Sequence, residues 1–427
     1  TIIVPLYDYA GEASLTVRFV WSDAGSWASG FAVDNVVVGE LADYNVASDK
    51  VVFGNWNVSE FEAGLYDFSM VPLTQVSPVA ATGVISNNGF LDQTNVSFDL
   101  EVFMDGNSQG TWSSDQTVAT QESLTKDTLS VVTDFTPSGT GQVSITIMAV
   151  SESGDDVADD NDASKSMMIT TDVYARDANG AQAFVDPGTA YQFGNLFDIY
   201  TTELCGGIQY AVGAGSDEGA FITGWVYDFE GFDDNGDPIL GNEFYETTEH
   251  MIVAGDLNGV GENNFVTLPF AEGAVELTEG KTYLAVIATN GGNEVVRTPV
   301  SGTNSWAASL LFDGEWGWTL SIPMLRLTFD ESVAVNEVVA EKNFAMMQNV
   351  PNPAIDNTRV MFHLHNAATV NFRVTDITGK VVVEQNRGTL PQGAHKIDLN
   401  VSDLPAGIYN YTLTVGDEQL TRQMIVQ

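Results

Sequence analysis

Apolar and polar residues alternate through most of this 427-residue chain, in short runs that end at Gly, Asn, Asp or Pro. Successive side chains of a β-strand point to opposite faces, so a period of two is typical of half-buried strands. A hydrophobic fraction of 44% supplies enough apolar side chains for packed cores and argues against disorder. Because 427 residues exceed what one core usually holds, the sequence predicts an all-β protein built of tandem β-sandwich domains.

The charge of the chain is large and unevenly distributed. A formal net charge of −43 excludes nucleic acid and anionic membrane surfaces as partners, because both require clustered Lys and Arg. Residues 1–340 contain eight basic and fifty acidic side chains, whereas residues 341–427 contain seven and eight. This change in composition predicts a C-terminal domain with a different partner from the rest of the chain.

Cysteine content and hydropathy say little about export but constrain stability. Cys205 is the only cysteine, so no disulfide forms within the chain, and each domain depends on its own core or on metal. Residues 1–17 lack the basic region and the apolar run of a signal peptide, and no segment reaches the ~18 apolar residues of a membrane helix. If the protein is exported, we expect its export signal to have been removed or to lie upstream of Thr1.

The C-terminal part divides into a linker, residues 331–347, and a strand-rich segment, residues 348–427. Pro351-Asn352-Pro353 is disfavoured in a central strand because proline lacks the N–H donor, so it predicts an extended or turn segment. Tight turns are expected at Asp376–Lys380 and at Leu404–Tyr409. The segment is therefore predicted to be a small antiparallel β-sandwich. Its strand candidates are 359–364, 370–375, 380–385, 393–399, 407–415 and 419–426.

These motifs, with the closing Thr421–Val426, resemble the type A C-terminal sorting domain of the type IX secretion system, found in Bacteroidetes. The chain departs mildly from that family, which often has Lys near the last strand where this sequence has Arg422 and Gln423. The resemblance implies recognition of residues 348–427 by the translocon and its outer-membrane barrel shuttle. The residues that carry the sorting motif are Pro351, Asn352, Pro353, Asp376, Gly379, Lys380, Gly407, Tyr409 and Arg422.

The same resemblance implies a destination for the passenger, meaning the chain that precedes the tail. The tail is usually removed while the passenger is attached to surface lipopolysaccharide or released. We therefore expect the protein outside the cell or on the outer surface of a Gram-negative Bacteroidetes bacterium.

The passenger resembles further β modules. Residues 1–42 are expected to be the C-terminal strands of a truncated jelly roll, because Gly30–Val36 resembles the closing strand of cleaved-adhesin, or choice-of-anchor J, domains. Residues 43–173 are expected to form an Ig-like sandwich, and Thr82–Gly89 resembles a repeating unit of CARDB adhesion modules. Residues 174–330 are expected to form a jelly-roll-like sandwich, because long loops separate their strand candidates.

Three tryptophans in that last passenger unit admit two explanations. Sugar faces stack on indole rings, so Trp306, Trp316 and Trp318 suggest a carbohydrate-binding module. Tryptophan is more often buried, so packing in the core is the other explanation.

Two acidic loops are candidate calcium sites, because Ca²⁺ takes six to eight oxygen ligands from carboxylates, amides and carbonyls. The first is predicted to use Asp155, Asp159 and Asp162. The second is predicted to use Asp233, Asn235 and Asp237, although it lacks the distal bidentate Glu of an EF-hand. In so acidic a chain, solvated turns are the alternative for both loops.

The sequence contains none of the metalloprotease, nucleophile-elbow, phosphate-loop or dithiol motifs that carry common chemistries. His250 and Cys205 are expected to be structural. We therefore expect a non-catalytic adhesin or structural protein with a glycan or protein ligand. The alternatives are an accessory region of a longer secreted peptidase or glycosidase whose catalytic domain precedes Thr1, and a carbohydrate-binding module at residues 174–330.

Overall fold

The structure is a computed structural model. It describes residues 6, 16–19, 39–54, 68–178, 180–258, 264–271, 273–289, 294–303, 308–333, 344–346, 349, 352–364 and 366–427. Regular structure in these ranges consists of β-strands and single 3₁₀ turns, without an α-helix, so the predicted all-β fold is confirmed. The same residues contain no helix with the length and hydropathy needed to cross a membrane. Most of residues 1–42, including Gly30–Val36, lie outside the described part.

The first group of strands forms a two-sheet sandwich of the Ig-like kind. Three strands make one sheet in the order β1-β3-β7, and the other runs β2-β9-β8-β4-β5. On β4 alternate residues from Val96 to Val102 are fully buried, so the period-two pattern places them in the core between the sheets. The strands are β1 (Val46–Phe53), β2 (Met70–Pro72), β3 (Ala80–Asn87), β4 (Gln93–Met104), β5 (Asn107–Ser113), β6 (Val118–Gln121), β7 (Lys126–Val132), β8 (Gly141–Val150) and β9 (Asp162–Thr170).

The second group of strands packs a broad sheet, in the order β16-β15-β21-β12-β23-β24, against a sheet containing β18-β14-β26-β10. The strands are β10 (Val173–Ala175), β11 (Ala183–Val185), β12 (Gln192–Asp198), β13 (Glu203–Cys205), β14 (Gly207–Gly213), β15 (Phe221–Phe232), β16 (Pro238–Glu246), β17 (His250–Met251), β18 (Leu257–Asn258), β19 (Phe265–Pro269), β20 (Val275–Leu277), β21 (Thr282–Thr289), β22 (Thr298–Thr303), β23 (Ser309–Phe312), β24 (Trp316–Trp318), β25 (Ser321–Pro323) and β26 (Leu325–Thr328).

One sheet is continuous across the two passenger groups. The short strand β10 pairs with β26 on one side and with β2 on the other, and β2 continues in parallel to β9. Buried side chains from Val46 to Phe329 accordingly form one hydrophobic cluster. The domain boundary predicted at 173/174 therefore falls within a shared sheet and a shared core.

The C-terminal strands form a separate small sandwich. One sheet has the order β27-β28-β31 and the other β30-β29-β32-β33, with a core of their own between them. Strand β27 lies in the segment expected to be a linker and pairs with β28. The strands are β27 (Phe344–Met346), β28 (Asn357–Leu364), β29 (Ala368–Asp376), β30 (Val381–Leu390), β31 (Gly393–Asn400), β32 (Gly407–Val415) and β33 (Glu418–Val426).

Candidate functional site

Most of the predicted sorting motif gathers at one end of the four-stranded C-terminal sheet. Antiparallel pairing brings the end of β29, the start of β32 and the end of β33 to the same place. In that register Asp376 lies opposite Tyr409, and Tyr409 lies opposite Met424. Motifs that are about fifty residues apart in sequence are therefore neighbours, and we call this region the motif end.

The Asp376–Lys380 turn joins β29 to β30 and is closed by one carboxylate. Asp376 Oδ1 accepts hydrogen bonds from Thr378 N at 2.8 Å, Thr378 Oγ1 at 2.6 Å and Lys380 N at 3.1 Å. These bonds, first of all that from the Thr378 hydroxyl, lower the pKa of the Asp376 carboxyl. Gly379 adopts a φ of 84°, which glycine reaches without strain. The predicted turn is confirmed, and Asp376 and Gly379 have structural reasons to be there.

The start of β32 is fixed by a tyrosine. Tyr409 is buried and its hydroxyl donates to Pro405 O at 2.7 Å. Gly407 is exposed and lies opposite Val426. A Cβ added at Gly407 would have Pro405 O, at 3.9 Å, as its nearest neighbour. Tyr409 therefore anchors the turn, whereas Gly407 has no steric requirement for glycine.

The proline-containing segment is bound along the end of the last strand. Asn352 is buried; its Oδ1 accepts a hydrogen bond from Ile425 N at 2.7 Å, and its Nδ2 donates to Gln423 O at 3.4 Å. The backbone continues this pairing, with Ala354 N donating to Ile425 O at 2.8 Å. Pro353 is half-buried, and Pro351 lies outside the described residues. The proline-containing segment and the last strand, which are the first and last motifs of the domain, are therefore hydrogen-bonded to each other.

The motif end also exposes apolar side chains. Ile377 in the turn is 75% exposed, Ile355 beside the Ala354–Val426 bridge is 65% exposed, and Ile408 on β32 is 45% exposed. Lys380 is exposed beside them. Sequence reasoning singles out Lys380 but misses the isoleucines, because single apolar residues in turns and strands look like ordinary core positions.

Arg422 lies in the middle of β33, opposite Tyr411, and is not part of the motif end. Its Nε donates to Met346 O at 2.9 Å and its Nη2 to Glu246 Oε1 at 3.0 Å. The first bond joins the two sheets of the sandwich, and the second reaches strand β16 of the passenger. This motif residue thus joins the tail to the preceding unit.

The first predicted calcium loop connects β8 to β9 and packs against the start of β1. Asp159 and Asp162 are exposed, while Asp155 is half-buried. Burial raises the pKa of the nearby Asp160, the Asp155 charge adds to that rise, and the side-chain amides of Asn45 and Asn88 oppose it. Sequence reasoning does not include Asp160 as a ligand, and it misses Asn45 because more than a hundred residues separate it from the loop.

The second predicted calcium loop is the exposed hairpin between β15 and β16. Asp233 Oδ1 accepts from Asp237 N at 2.9 Å and from Asn235 N at 2.8 Å, and these bonds, first of all that from Asp237, lower the pKa of the Asp233 carboxyl. Its Oδ2 accepts from Asn235 Nδ2 at 3.3 Å. The Asp233 carboxylate is therefore hydrogen-bonded to groups of its own turn. Across the described residues, no three or more His, Cys, Asp and Glu side chains are grouped as a metal centre.

The remaining candidates are structural or lie at the surface. Cys205 is buried, and burial raises the pKa of its thiol to about 12, so it is a small core residue as predicted. His250 Nε2 lies 2.8 Å from Asp256 Oδ2. Trp316 is half-buried against Phe312, and Trp318 is 47% exposed. Trp306 lies outside the described residues.

A family model described as a secretion system C-terminal sorting domain matches residues 350–427. No curated protein matches the chain. Among solved structures, the CARDB domain of a Pyrococcus furiosus protein is 11% identical, with a TM-score of 0.21, covering 33% of this chain and all of that one.

Two further solved structures also match parts of the chain. Trypsin-activated α2-macroglobulin of Escherichia coli is 10% identical, with a TM-score of 0.19, over 92% of this chain and 24% of that one. A β-glucuronidase of Ruminococcus gnavus is 12% identical, with a TM-score of 0.16, over 62% and 39%. Scores this low carry no functional argument. The family match confirms the predicted sorting domain, and such a tail implies export out of the cell.

Proposed function

We propose that this chain is a non-catalytic adhesin or structural protein that the type IX system delivers to the outer cell surface or beyond. The basis is the secretion sorting domain that follows the passenger. We propose further that the translocon and its barrel shuttle recognise the motif end. The observation that carries this proposal is the convergence of most of the dispersed motif residues on one end of one sheet.

The residues of the motif end divide into those that shape it and those that a partner can reach. Asn352, Asp376 and Tyr409 use their polar atoms on the domain itself. Ile355, Ile377 and Ile408 instead keep large apolar surfaces in water. Clustered exposed apolar side chains on a folded domain mark interaction sites, so the isoleucines are the proposed contacts.

The last strand offers a second means of recognition. In the described part of the chain, β33 pairs with β32 along one side and, on the other, takes part in the Ala354 bridge near its C-terminal end. Since β33 is the last strand in the order of its sheet, a partner strand can add along it.

Export of isoleucine variants tests the recognition surface. Ile377→Ser combined with Ile408→Ser removes apolar contacts without touching the hydrogen bonds of the turn, so we expect the protein to accumulate in the periplasm. Ile239→Ser is the matched control, because Ile239 is an exposed isoleucine of the passenger strand β16. Fractionation followed by immunoblotting measures the location, and thermal unfolding confirms that the variants fold.

Normal export of the double variant would contradict recognition through the exposed isoleucines. Deletion of residues 348–427 separates that result from failure of the export proposal as a whole. A deleted protein that still reaches the surface contradicts the type IX route, whereas a retained one leaves the route in place and moves recognition elsewhere on the tail.

We propose further that residues 348–427 are removed after export. The remaining passenger is then expected to be attached to lipopolysaccharide or released. Intact-mass measurement of the cell-associated and secreted forms checks this. A tail still present on the exported protein contradicts removal.

A carbohydrate-binding role is the second candidate, and the exposure of Trp318 favours it. Trp316 and Trp318 are two residues apart on β24, so their indoles lie on the same face of the strand. Trp318→Ala is expected to abolish glycan-array binding by the full chain if this face stacks on sugars, with Met251→Ala as an exposed apolar control. An array with no binding by the unsubstituted protein contradicts this candidate. The accessory role in a longer hydrolase is tested by the sequence upstream of Thr1.

A further inference from the structure

Four buried oxygen atoms lie where the β8–β9 loop packs on the start of β1, and none of them receives a hydrogen bond. All belong to carboxylate or carboxamide groups, which accept hydrogen bonds or bind cations through oxygen. They are Asn45 Oδ1, Asp155 Oδ2, Asp160 Oδ1 and Asn161 Oδ1.

The side chains that supply these oxygens are held together by the fold. Asn45 is only 8% exposed, and its Nδ2 donates to Asp160 Oδ2 at 3.3 Å, so its amide group faces the loop carboxylate. Asp155 lies close enough to Asp160 for its charge to act on that carboxyl, and Asn161 follows Asp160 directly. Asn45 and Asp160, which are 115 residues apart in sequence, therefore meet at this place.

Backbone contacts fix the loop in this position. Tyr44 N donates to Asp156 Oδ2 at 3.0 Å, and Asp156 N donates to Tyr44 O at 2.9 Å. Asp155 Oδ1 is used within the loop, accepting from Val157 N at 3.0 Å, which leaves Oδ2 for another partner. These hydrogen bonds hold the loop against the residues just before β1, next to Asn45.

Buried acceptors without donors are uncommon in folded proteins, because desolvation of a polar atom is costly unless a partner replaces water. Two carboxylates in one partly desolvated place also repel each other. A cation offsets both costs at once. The ligand chemistry favours a hard metal ion, since oxygens alone are offered and neither sulfur nor imidazole is among them.

We propose that Asn45, Asp155, Asp160 and Asn161 bind a calcium ion between the β8–β9 loop and the start of β1. Calcium fits better than magnesium because two amides and two carboxylates from a loop and a strand end supply an irregular oxygen shell, whereas magnesium requires near-ideal octahedral geometry. Backbone carbonyls and water complete the six to eight ligands. Asp159 and Asp162, expected from the sequence as ligands, are exposed and lie outside this site.

The bound ion would act as a cross-link between distant parts of the first sandwich. It joins the segment that precedes β1 to the loop between β8 and β9. A ligand that binds the folded state alone stabilises it in proportion to the logarithm of its concentration above the dissociation constant. The acidic passenger would therefore be stabilised in a calcium-containing exterior, where its charge is also screened.

Calcium titration of the full chain, by calorimetry and by thermal unfolding, tests the site. We expect heat of binding and a rise in the unfolding temperature at about 10 mM calcium, which is above the ~1 mM dissociation constant typical of weak extracellular sites. Asp160→Asn and Asp155→Asn should each weaken binding by about tenfold or more, since each removes a ligand charge. Asp159→Asn is the matched control, because it makes the same charge change in the same loop at an exposed position.

A comparison in chelator distinguishes loss of the site from simple misfolding. Without calcium, Asp160→Asn should be at least as stable as the unsubstituted protein, because it relieves repulsion by Asp155. With calcium the order should reverse.

Three results overturn the proposal. The first is no heat and no temperature shift in the unsubstituted protein at about 10 mM calcium. The second is equal loss of binding in Asp159→Asn and Asp160→Asn, which would indicate general charge screening. The third is an equal shift with magnesium, which would overturn the assignment to calcium.

Discussion

Two hairpin turns that the sequence presents differently have the same hydrogen-bond pattern. In each, the first aspartate accepts through Oδ1 from the backbone N–H groups two and four residues later, and a glycine follows at the fourth position with positive φ. One turn begins at Asp376 in the sorting domain and the other at Asp233 in the passenger. The candidate calcium loop at Asp233 and the sorting-motif turn at Asp376 therefore have the same tight-turn geometry.

Substitution of the two motif glycines should separate backbone strain from recognition. Gly379→Ala forces an L-residue to a φ of 84° with no nearby atom to contact, so we expect a loss of about 1–2 kcal/mol in sorting-domain stability. Gly407→Ala has space and no positive φ, so its effect should be within about 0.5 kcal/mol. Urea unfolding measures both. Equal destabilisation by the two substitutions would contradict this account.

The Asp376 turn should also be sensitive to acid. The folded state lowers the pKa of this carboxyl below its ordinary value of 3.8, so its contribution to stability is present above that pH. It is lost as the pH falls through the folded pKa. NMR titration of the carboxyl should give a midpoint below 3.8, and Asp376→Asn should remove that part of the acid dependence. A midpoint at or above 3.8 would contradict the turn hydrogen bonds.

At the scale of strands, the alternation of apolar and polar residues predicts well where strands lie but poorly which strands pair. Residues 407–415 are predicted to be a strand and are strand β32, and 282–289 in β21 is a dense apolar run of the kind that forms a buried strand. Strand β5 carries an almost wholly polar sequence, so its pairing with β4 leaves no apolar signature. The motif end is foreseeable as a set of turns. Its convergence is not, because strand order depends on contacts between distant residues.

The same limit explains why the sequence does not predict the union of the two passenger groups. Strands β2 and β10 are three residues long and show no periodicity, yet they connect two sheets. Close to that connection, Asp177 is fully buried and accepts two hydrogen bonds from Arg326, at 2.6 and 2.7 Å. Arg326 also lies over the Phe265 ring at 3.9 Å. A buried ion pair therefore lies beside the shared sheet, close to the position where sequence patterns predict a boundary between two domains.

Breaking this pair should destabilise the passenger strongly. Asp177→Asn leaves a buried guanidinium without its opposite charge, so we expect a loss of about 3–5 kcal/mol. Arg326→Lys keeps the charge but loses the two-pronged geometry and should have a smaller effect. Thermal unfolding of the full chain measures both. A loss below about 1 kcal/mol for Asp177→Asn, the value typical of a surface pair, would contradict a buried role.

The whole molecule combines a passenger with a net charge of −42 and a nearly neutral tail, and the structure gives each its own core. They meet where β16 lies against β28 and β31, and where Arg422 contacts Glu246 at the end of β16. The ion pairs of Arg422 with Glu246 and, at 3.9 Å, with Glu249 are partly exposed and contribute little to stability. Cooperativity should therefore be high within the passenger, where the sheet is continuous, and low between passenger and tail.

Calorimetric unfolding of the full chain should accordingly show two transitions, one for the sorting domain and one for the joined passenger groups. Gly379→Ala lies in the tail, so it should lower the sorting-domain transition alone. Asp177→Asn lies beside the shared sheet and should lower the passenger transition as one unit, because β10 and β2 transmit the loss to both groups. A passenger transition that divides in two, with the first sandwich unaffected by Asp177→Asn, would show that the continuous sheet does not couple them.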